Sequence, residues 1–233
     1  RRQRDGRRGG ALHGRDDGGR RRRVVRRPRG DACGRADPTL FGRKMAEMHL
    51  AEPLAAEAKA GRFGFDVDNT CGDTPQLNSW TEGSGTDAWV EFYREQRIGY
   101  QIRRARNTQL TKQWERTLEA TNGLADLFEG LDVKPSILHG DLWSGNVLNT
   151  PLGPALIDPA IYRHYPETDL AMLTLFGSPG DAFFEAYWNG NAPADWPRRE
   201  ALFQLYPLLN HLLLFGASYR SGVERSVTLL ERD

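Results

Sequence analysis

Cysteine is scarce in this sequence, and the two cysteines rule out several kinds of small stabilised domain. Among 233 residues only Cys33 and Cys71 are present, too few for a disulfide framework. No group of cysteines and histidines has the spacing of a zinc site. The chain is therefore neither a disulfide-stapled secreted scaffold nor a structural zinc domain, and we expect a reducing, cytoplasmic setting.

One run without charge, residues 201–219, is a candidate membrane span. Gln204, Pro207, Asn210 and His211 argue against that interpretation, because a polar side chain or a lost backbone hydrogen bond costs free energy in hydrocarbon. We therefore predict a buried core helix here and no association with a membrane.

Lysine is also scarce, with 4 lysines against 28 arginines, and the charges are unevenly distributed. Residues 1–35 hold 14 Arg and 4 Asp, a net charge of +10, which leaves −9 for the rest of the chain. This first segment has few apolar side chains, so burial cannot offset the entropy lost on ordering it. We expect residues 1–38 to be disordered or foreign to the domain that follows, and residues 39–233 to form the folded domain.

Three interpretations of the arginine-rich segment are open. Its charge suits non-specific binding to nucleic-acid phosphates, although it has no aromatic residue on which a base could stack. A transit peptide is disfavoured, since such peptides contain few acids and many serines, whereas residues 1–35 contain four Asp and no Ser. The third interpretation is a GC-rich stretch read out of frame, which yields Arg, Gly, Ala and Pro.

Apolar residues recur at helical spacing through most of the folded domain. We predict a helix that begins after an Asp87 cap and buries Trp89, Phe92 and Tyr93, with Arg97 facing solvent. Residues 61–86 are rich in glycine and are predicted to be a long loop. The other predicted helices are residues 39–53, 111–128, 169–176, 181–188, 198–215 and one after Gly222.

Between residues 136 and 158 the repeat of apolar residues shortens from 3.6 towards two residues, which is typical of strands. Short strands are predicted at residues 136–139, 147–149 and 155–158, with residues 151–154 as the turn between the last two. The predicted fold class is therefore α+β, mainly helical, with short β-hairpins.

Candidate catalytic residues lie around these strands, in the run HGDLWSGN at 139–146 and at Asp158. Two carboxylates and a carboxamide on neighbouring loops suit metal-assisted phosphoryl transfer, in which one Asp accepts a proton while an Asn and a second Asp hold Mg²⁺. We predict Asp141 as the general base, with Asn146 and Asp158 binding Mg²⁺ and the phosphates of ATP. Taken singly, each could be a turn residue. Their joint spacing is typical of a protein-kinase-like catalytic loop.

Longer stretches of the sequence resemble the fructosamine/ketosamine-3-kinase family, which shares the protein-kinase-like fold of aminoglycoside phosphotransferases and choline kinases. The resemblance covers about residues 39–230. The stretches that carry it are HGDLWSGN at 139–146, IDPA at 157–160, TDLAMLTLFG at 168–177, QLYPLLNHLLLFGASYR at 204–220, NTCGDTPQLNSW at 69–80 and WVEFYREQRIGYQ at 89–101. It implies the C-terminal lobe of a kinase, with the short hairpins at its catalytic loop.

The resemblance also implies an activity: phosphorylation by ATP, with Mg²⁺, of the 3-hydroxyl of a ketosamine on a small amine or a protein lysine, a deglycation repair reaction. By motif position, His139 would orient the catalytic loop and Asp169 would brace it by accepting backbone N–H groups. Trp143, Asn210 and His211 are candidates for the sugar pocket, although such residues are often simply part of a core.

The sequence departs from the family pattern before Thr39, where family members have a β-rich lobe with a glycine-rich loop and a strand lysine. Lys44, the first lysine, falls on a predicted helix. Because positioning accounts for most of the catalysis in this reaction class, we expect this polypeptide to be weakly active or inactive. The alternatives are another small-molecule kinase, for aminoglycosides, choline or homoserine, and a non-catalytic protein that binds nucleic acid only through residues 1–35.

Overall fold

The computed structural model of the protein describes residues 37–231. The disorder or foreign origin predicted for residues 1–38 therefore falls almost wholly outside the described residues. The helices are α1 (Pro38–His49), α2 (Ala56–Lys59), α3 (Gly85–Phe92), α4 (Tyr100–Ala105), α5 (Thr108–Ala120), α6 (Glu167–Leu175), α7 (Asp181–Trp188), α8 (Trp196–Phe215) and α9 (Arg220–Leu230). The strands are β1 (Asn69–Cys71), β2 (Thr74–Gln76), β3 (Ser136–Leu138), β4 (Val147–Thr150), β5 (Gly153–Leu156) and β6 (Tyr162–His164).

The strands form three small antiparallel pairs, β1 with β2, β3 with β6, and β4 with β5. In the second pair Ser136 lies opposite His164, so the segment after Leu138 leaves the pair beside the segment that precedes Tyr162. Residues 139–161 therefore start and finish at the same end of the β3–β6 pair, and the β4–β5 hairpin lies within this stretch. The predicted fold class, mainly helical α+β with short hairpins at this loop, is confirmed.

Helix α8 runs through the main hydrophobic core and packs against α6 and α9. Its Pro207 has no N–H, so the carbonyl of Phe203, four residues earlier, lacks its usual helical donor. The Tyr93 hydroxyl donates to this carbonyl at 3.3 Å and to that of Leu202 at 2.9 Å. None of the helices over residues 37–231 is long and apolar enough to cross a membrane.

A second hydrophobic cluster lies between α1 and α7. Helix α1 begins where Asp37 accepts hydrogen bonds from the amides of Thr39 and Leu40, a side-chain N-cap. Phe41 packs on Phe183, with ring centroids 4.9 Å apart. This packing fixes α1 beside the residues that support the catalytic loop.

Three local predictions were wrong. Residues 61–86 contain the β1–β2 hairpin and are not a continuous loop. Asp87 does not cap the helix after it, since α3 begins at Gly85 with Ser84 at the N-cap position. The predicted helix 111–128 is interrupted, because α5 ends at Ala120 and Asn122, Gly123 and Leu124 have positive φ at the start of the 3-10 segment Asn122–Phe128.

The prediction that Arg97 faces solvent was also wrong, because Arg97 is fully buried. Between α3 and α4 the chain forms a π-helix, Tyr93–Gly99. A π-turn takes more residues than an α-turn, so the side chains that follow it are rotated from their α-helical positions. Arg97 follows the buried Tyr93 by four residues, so an α-helix would already place it at the edge of the buried face, and the wider π-turn brings it closer to the centre of that face.

Candidate active site

The buried carboxylate of Asp169, on α6, holds the segment 139–141 that follows β3. Asp169 accepts hydrogen bonds from the backbone N–H of His139 at 2.7 Å and of Gly140 at 2.9 Å. Its side chain therefore engages two consecutive amides, as the sequence-based hypothesis expects of a bracing residue.

Asp169 has a further partner that sequence reasoning missed. Nε2 of His49, on α1, lies 3.2 Å from Oδ2 of Asp169, and Nδ1 of the same ring lies 2.7 Å from the Tyr187 hydroxyl on α7. Burial and the charge of Asp169 raise the pKa of that hydroxyl. The only sequence signal for His49 was its place in the apolar stripe of the first helix, a position that usually holds a core residue.

His139 connects the catalytic loop to the loop that carries Asp158. Its Nε2 lies 2.9 Å from the carbonyl oxygen of Ile157, and its Nδ1 accepts from the Asp141 amide at 3.3 Å. The ring is buried and both of its nitrogens are engaged with backbone groups, which is compatible with the predicted role of orienting the loop.

Asp141 and Asn146 meet directly. Nδ2 of Asn146 lies 2.9 Å from the carbonyl oxygen of Asp141 and 3.2 Å from its Oδ2, so the amide donates to both. Partial burial is the largest cause that raises the pKa of Asp141 above 3.8, and the hydrogen bond from Asn146 opposes the rise. A partly desolvated carboxylate with a raised pKa is suited to accept a proton.

Asp158 lies two residues beyond the end of β5, on a loop that is interlocked with the catalytic loop. The amide of Ile157 donates to the Asn146 carbonyl at 3.0 Å, and the amide of Ala160 donates to the His139 carbonyl at 2.8 Å. Gly140 permits this approach, because its φ is +80° and a Cβ there would lie 2.0 Å from the Ala160 oxygen. Asp158 itself is exposed and has a left-handed φ of 52°.

The donor set around these loops is one that Mg²⁺ accepts. Because Nδ2 of Asn146 donates to Asp141, its Oδ1 is the atom left for a cation. Among residues 37–231 no group of three or more His, Cys, Asp or Glu side chains is arranged to hold a metal. A site of one amide and one or two carboxylates fits Mg²⁺, which keeps waters and takes its remaining ligands from substrate phosphates.

A cavity of about 340 Å³ opens beside Asp141, and all three predicted pocket residues line it. The Phe176 ring neighbours two of these residues, with its centroid 6.4 Å from that of Trp143 and 5.1 Å from that of His211. The remaining lining residues are Cys71, Gly72, Met172, Asn210, Leu214 and Phe215. The cavity is therefore mostly apolar and aromatic, with one carboxylate at its wall.

The polar residues of this cavity differ in what they can offer a ligand. The Asn210 amide is already engaged, since it accepts from the Thr74 hydroxyl and donates to the Cys71 carbonyl. Nδ1 of His211 lies 2.7 Å from the Pro207 carbonyl, and no described residue is bonded to its Nε2. Burial raises the pKa of the Cys71 thiol to about 12, so the thiol stays protonated and unreactive.

These loops and the helical lobe that carries them are typical of the phosphotransferases with a protein-kinase-like fold. Within that class the chain belongs to the fructosamine kinase family, whose sequence profile matches residues 32–232. The resemblance noted in the sequence is thus confirmed.

Individual relatives agree with this assignment. The chloroplastic protein-ribulosamine 3-kinase of Arabidopsis thaliana is 39% identical over 191 residues, which are 81% of this chain and 55% of the relative. The ketosamine-3-kinase of Mus musculus is 35% identical over 208 residues, which are 79% of this chain and 64% of the relative. The chain thus spans about half to two thirds of the length of these relatives.

Solved structures give the same result. A protein of Thermobifida fusca assigned as a fructosamine-3-kinase superposes with a TM-score of 0.71 at 36% identity, over 87% of this chain and 67% of that one. A protein of Haemophilus somnus with the same assignment gives a TM-score of 0.65 at 25% identity, over 84% of this chain and 63% of that one.

Proposed function

We propose that the protein transfers the γ-phosphoryl group of ATP to the 3-hydroxyl of a ketosamine, as a deglycation reaction. The observation that carries this proposal is the partly buried Asp141 carboxylate, which is held by Asn146 and forms part of the wall of a sugar-sized, aromatic cavity. Membership of the fructosamine kinase family supports the choice of acceptor.

In this mechanism Asp141 accepts the proton of the attacking hydroxyl. Its raised pKa makes it a stronger base than an ordinary Asp, while Asn146 keeps one of its oxygens in a fixed position. Asp169 and the His139 ring hold the backbone amides of residues 139–141, so the carboxylate needs little rearrangement during the reaction.

Asn146 and Asp158 are the residues that would hold Mg²⁺. When bound, the ion neutralises charge on the phosphate oxygens as the phosphoryl group moves. Trp143 and Phe176 give the cavity aromatic faces against which the C–H groups of a sugar and the cationic amine of a ketosamine can pack. Nε2 of His211 is available to bond a hydroxyl.

The acceptor is a ketosamine on a small amine or on a protein lysine, and the proposed setting is the cytoplasm. The free, buried thiol of Cys71 is compatible with a reducing compartment. The alternative of a binding protein that uses its arginine-rich arm depends on residues 1–35, which lie outside the described part of the chain.

Steady-state assays test the proposal by comparing ribulosamine and fructosamine acceptors with an aminoglycoside and choline, each with ATP and Mg²⁺. We expect ketosamines to give the highest kcat/KM, and Asp141→Asn to reduce it by about 10²-fold or more. The control is Asp126→Asn, which changes an exposed carboxylate that is bonded only to Asn122. Choline or the aminoglycoside as the better acceptor would contradict the proposed substrate.

The pH profile of kcat/KM tests the role of Asp141 independently. The base must be deprotonated, and its pKa is raised, so activity falls with decreasing pH while the solution is still above pH 3.8. We expect any residual activity of Asp141→Asn to lack this acid limb. An identical limb in the variant would assign it to another group.

A further inference from the structure

The β1–β2 hairpin lies against the loop that carries Asp158 and bonds it through side-chain amides. Nδ2 of Asn69 donates to the Ile161 carbonyl at 2.7 Å, and Nε2 of Gln76 donates to the Ala160 carbonyl at 3.2 Å. The amide of Ala160 donates in the other direction, to the catalytic loop at His139. The residues after Asp158 are therefore fixed between the catalytic loop and the hairpin.

The two hairpin amides are themselves held in one orientation. Oδ1 of Asn69 accepts from Gln76 at 2.8 Å and from Nδ2 of Asn78 at 3.1 Å. Oε1 of Gln76 accepts from the Tyr206 hydroxyl at 3.1 Å, and Oδ1 of Asn78 accepts from the Arg97 guanidinium at 2.7 Å. We call Asn69, Gln76 and Asn78 the amide network. Each side-chain amide oxygen of the network accepts a hydrogen bond. Rotating the Asn69 or Gln76 amide away from the loop would therefore leave polar atoms without partners.

Asp158 has an unfavourable backbone conformation. Its side chain has no hydrogen bond to the described residues that could hold it in that conformation. A left-handed φ in a non-glycine residue costs on the order of 1 kcal/mol or more, and it persists only where the surroundings impose it. The hydrogen bonds that impose it lie at neighbouring residues: Ile157 to Asn146, and Ala160 and Ile161 to the amide network.

We propose that the amide network is a positioning device for Asp158: Asn69 and Gln76 set the backbone of residues 158–161 and thereby the place of the carboxylate that would hold the metal. This inference rests on the proposed function for the role of Asp158. Asn69, Gln76 and Asn78 do not themselves line the cavity that would take the ketosamine, although Cys71 and Gly72 of the same hairpin do. We therefore expect the larger effect of the network at the residues that would hold the metal.

The test uses the full 233-residue chain with Asn69→Ala and Gln76→Met, the latter a change that keeps the volume and removes the donor to Ala160. Hydrogen exchange of a peptide covering residues 157–165 measures the loop itself. We expect exchange to become about fivefold faster or more in both variants, because each loses a hydrogen bond that closes the loop.

Kinetic titration provides the second measurement. The half-saturating Mg²⁺ concentration is expected to rise about tenfold, as for losses of residues that orient metal ligands, while the KM for the ketosamine stays within about twofold. A general loss of stability would lower the active fraction without this split.

Thr117→Val is the matched control, because the Thr117 hydroxyl on α5 is buried and bonded to Gln113 and Glu231, which are outside the amide network. It is expected to alter neither measurement. If both network variants fold and keep wild-type exchange and wild-type Mg²⁺ dependence, the inference is overturned. A wild type that prefers choline or an aminoglycoside to ketosamines contradicts the proposed function, and the exchange measurement decides independently whether the network holds the loop, even where turnover is too low for a Mg²⁺ titration.

Discussion

At the residue scale, His164 shows how burial sets the response of this protein to pH. The ring is fully buried among Trp89, Phe92 and Tyr93 and the rings around them, and Nδ1 bonds the Thr168 hydroxyl at 2.9 Å. Nε2 has no partner among the described residues. Burial, reinforced by the Arg97 charge, lowers the pKa of His164 well below 6.5.

This pKa shift predicts a loss of stability in mild acid. Below pH 6.5 the unfolded chain takes up a proton at His164 and the folded chain does not, so the free energy of unfolding falls as the pH falls. The slope from this single group approaches about 1.4 kcal/mol per pH unit. Urea unfolding between pH 5 and pH 8 should therefore show a shallower dependence in His164→Gln than in the wild type.

His211→Gln is the control for that experiment, because His211 is partly exposed and lies outside the aromatic core. Its unfolding free energy should keep the wild-type dependence on pH. Equal slopes in the wild type and His164→Gln would show that the acid sensitivity arises at another group.

At the scale of elements, the π-helix is the feature that most changes what the sequence implies. It turns Arg97 into the core, where the guanidinium donates to the carbonyl of Leu77 and to Oδ1 of Asn78 and lies 4.0 Å from the Tyr162 ring centroid. No described carboxylate lies within 4.0 Å of it. Carbonyls and aromatic faces compensate its charge, while its buried Nε has no partner among the described residues.

Arg97→Met tests this arrangement, because methionine keeps much of the apolar stem and cannot donate. We expect a loss of about 3 kcal/mol in the free energy of unfolding, since two buried acceptors lose a charged donor. Arg97→Lys should also be destabilising, because a single ammonium cannot reproduce the two-pronged geometry. Urea unfolding measures both.

The comparison is with Arg103→Met, whose side chain is 61% exposed and forms a surface ion pair with Glu95. Surface pairs contribute little, so we expect a change within about 1 kcal/mol. Similar losses for residues 97 and 103 would mean that the buried hydrogen bonds of Arg97 contribute nothing beyond a surface contact.

The elements that sequence reasoning predicted well are those with a strong local pattern. Helix α7 was predicted at its observed bounds, and α8 within two residues, because apolar residues repeat along them. The β1–β2 hairpin was missed because its strands, NTC and TPQ, are mostly polar and lie in a glycine-rich stretch. Arg97 was misplaced because its charge favours solvent, whereas its position four residues after Tyr93 favours the core.

The same distinction applies to the candidate site. Asp141, Asn146 and Asp158 were predicted as site residues from their spacing, because this type of catalytic loop keeps those residue types close together in the chain. The residues that hold them, His49, Asn69 and Gln76, are distant in the chain and meet the loops only through the fold. Such supporting contacts follow from tertiary packing and leave no local motif.

At the scale of the whole molecule, the described residues supply the candidate catalytic loop 139–146 and a cavity, and their four lysines lie on helices or in a surface loop. Lys44 lies on α1 and pairs with Glu47 at 2.7 Å, and Lys134 pairs with Asp132 at 2.7 Å. Lys59 and Lys112 lie on α2 and α5. None of the lysines in residues 37–231 is therefore on a strand. The family resemblance described above places a lysine that binds the phosphates of ATP on a strand.

We therefore expect the 233-residue polypeptide to turn over ribulosamine at least about 100-fold below the ~1–100 s⁻¹ typical of kinases, because positioning of the phosphates accounts for most of the catalysis. The measurement is a steady-state assay with saturating Mg²⁺ and ATP, and Asp141→Asn provides the background. Turnover that rises linearly with ATP and does not saturate in the millimolar range would locate the deficit in nucleotide binding. Saturating turnover of ~1 s⁻¹ would contradict this expectation and show that this polypeptide binds ATP without the strand lysine of the family pattern.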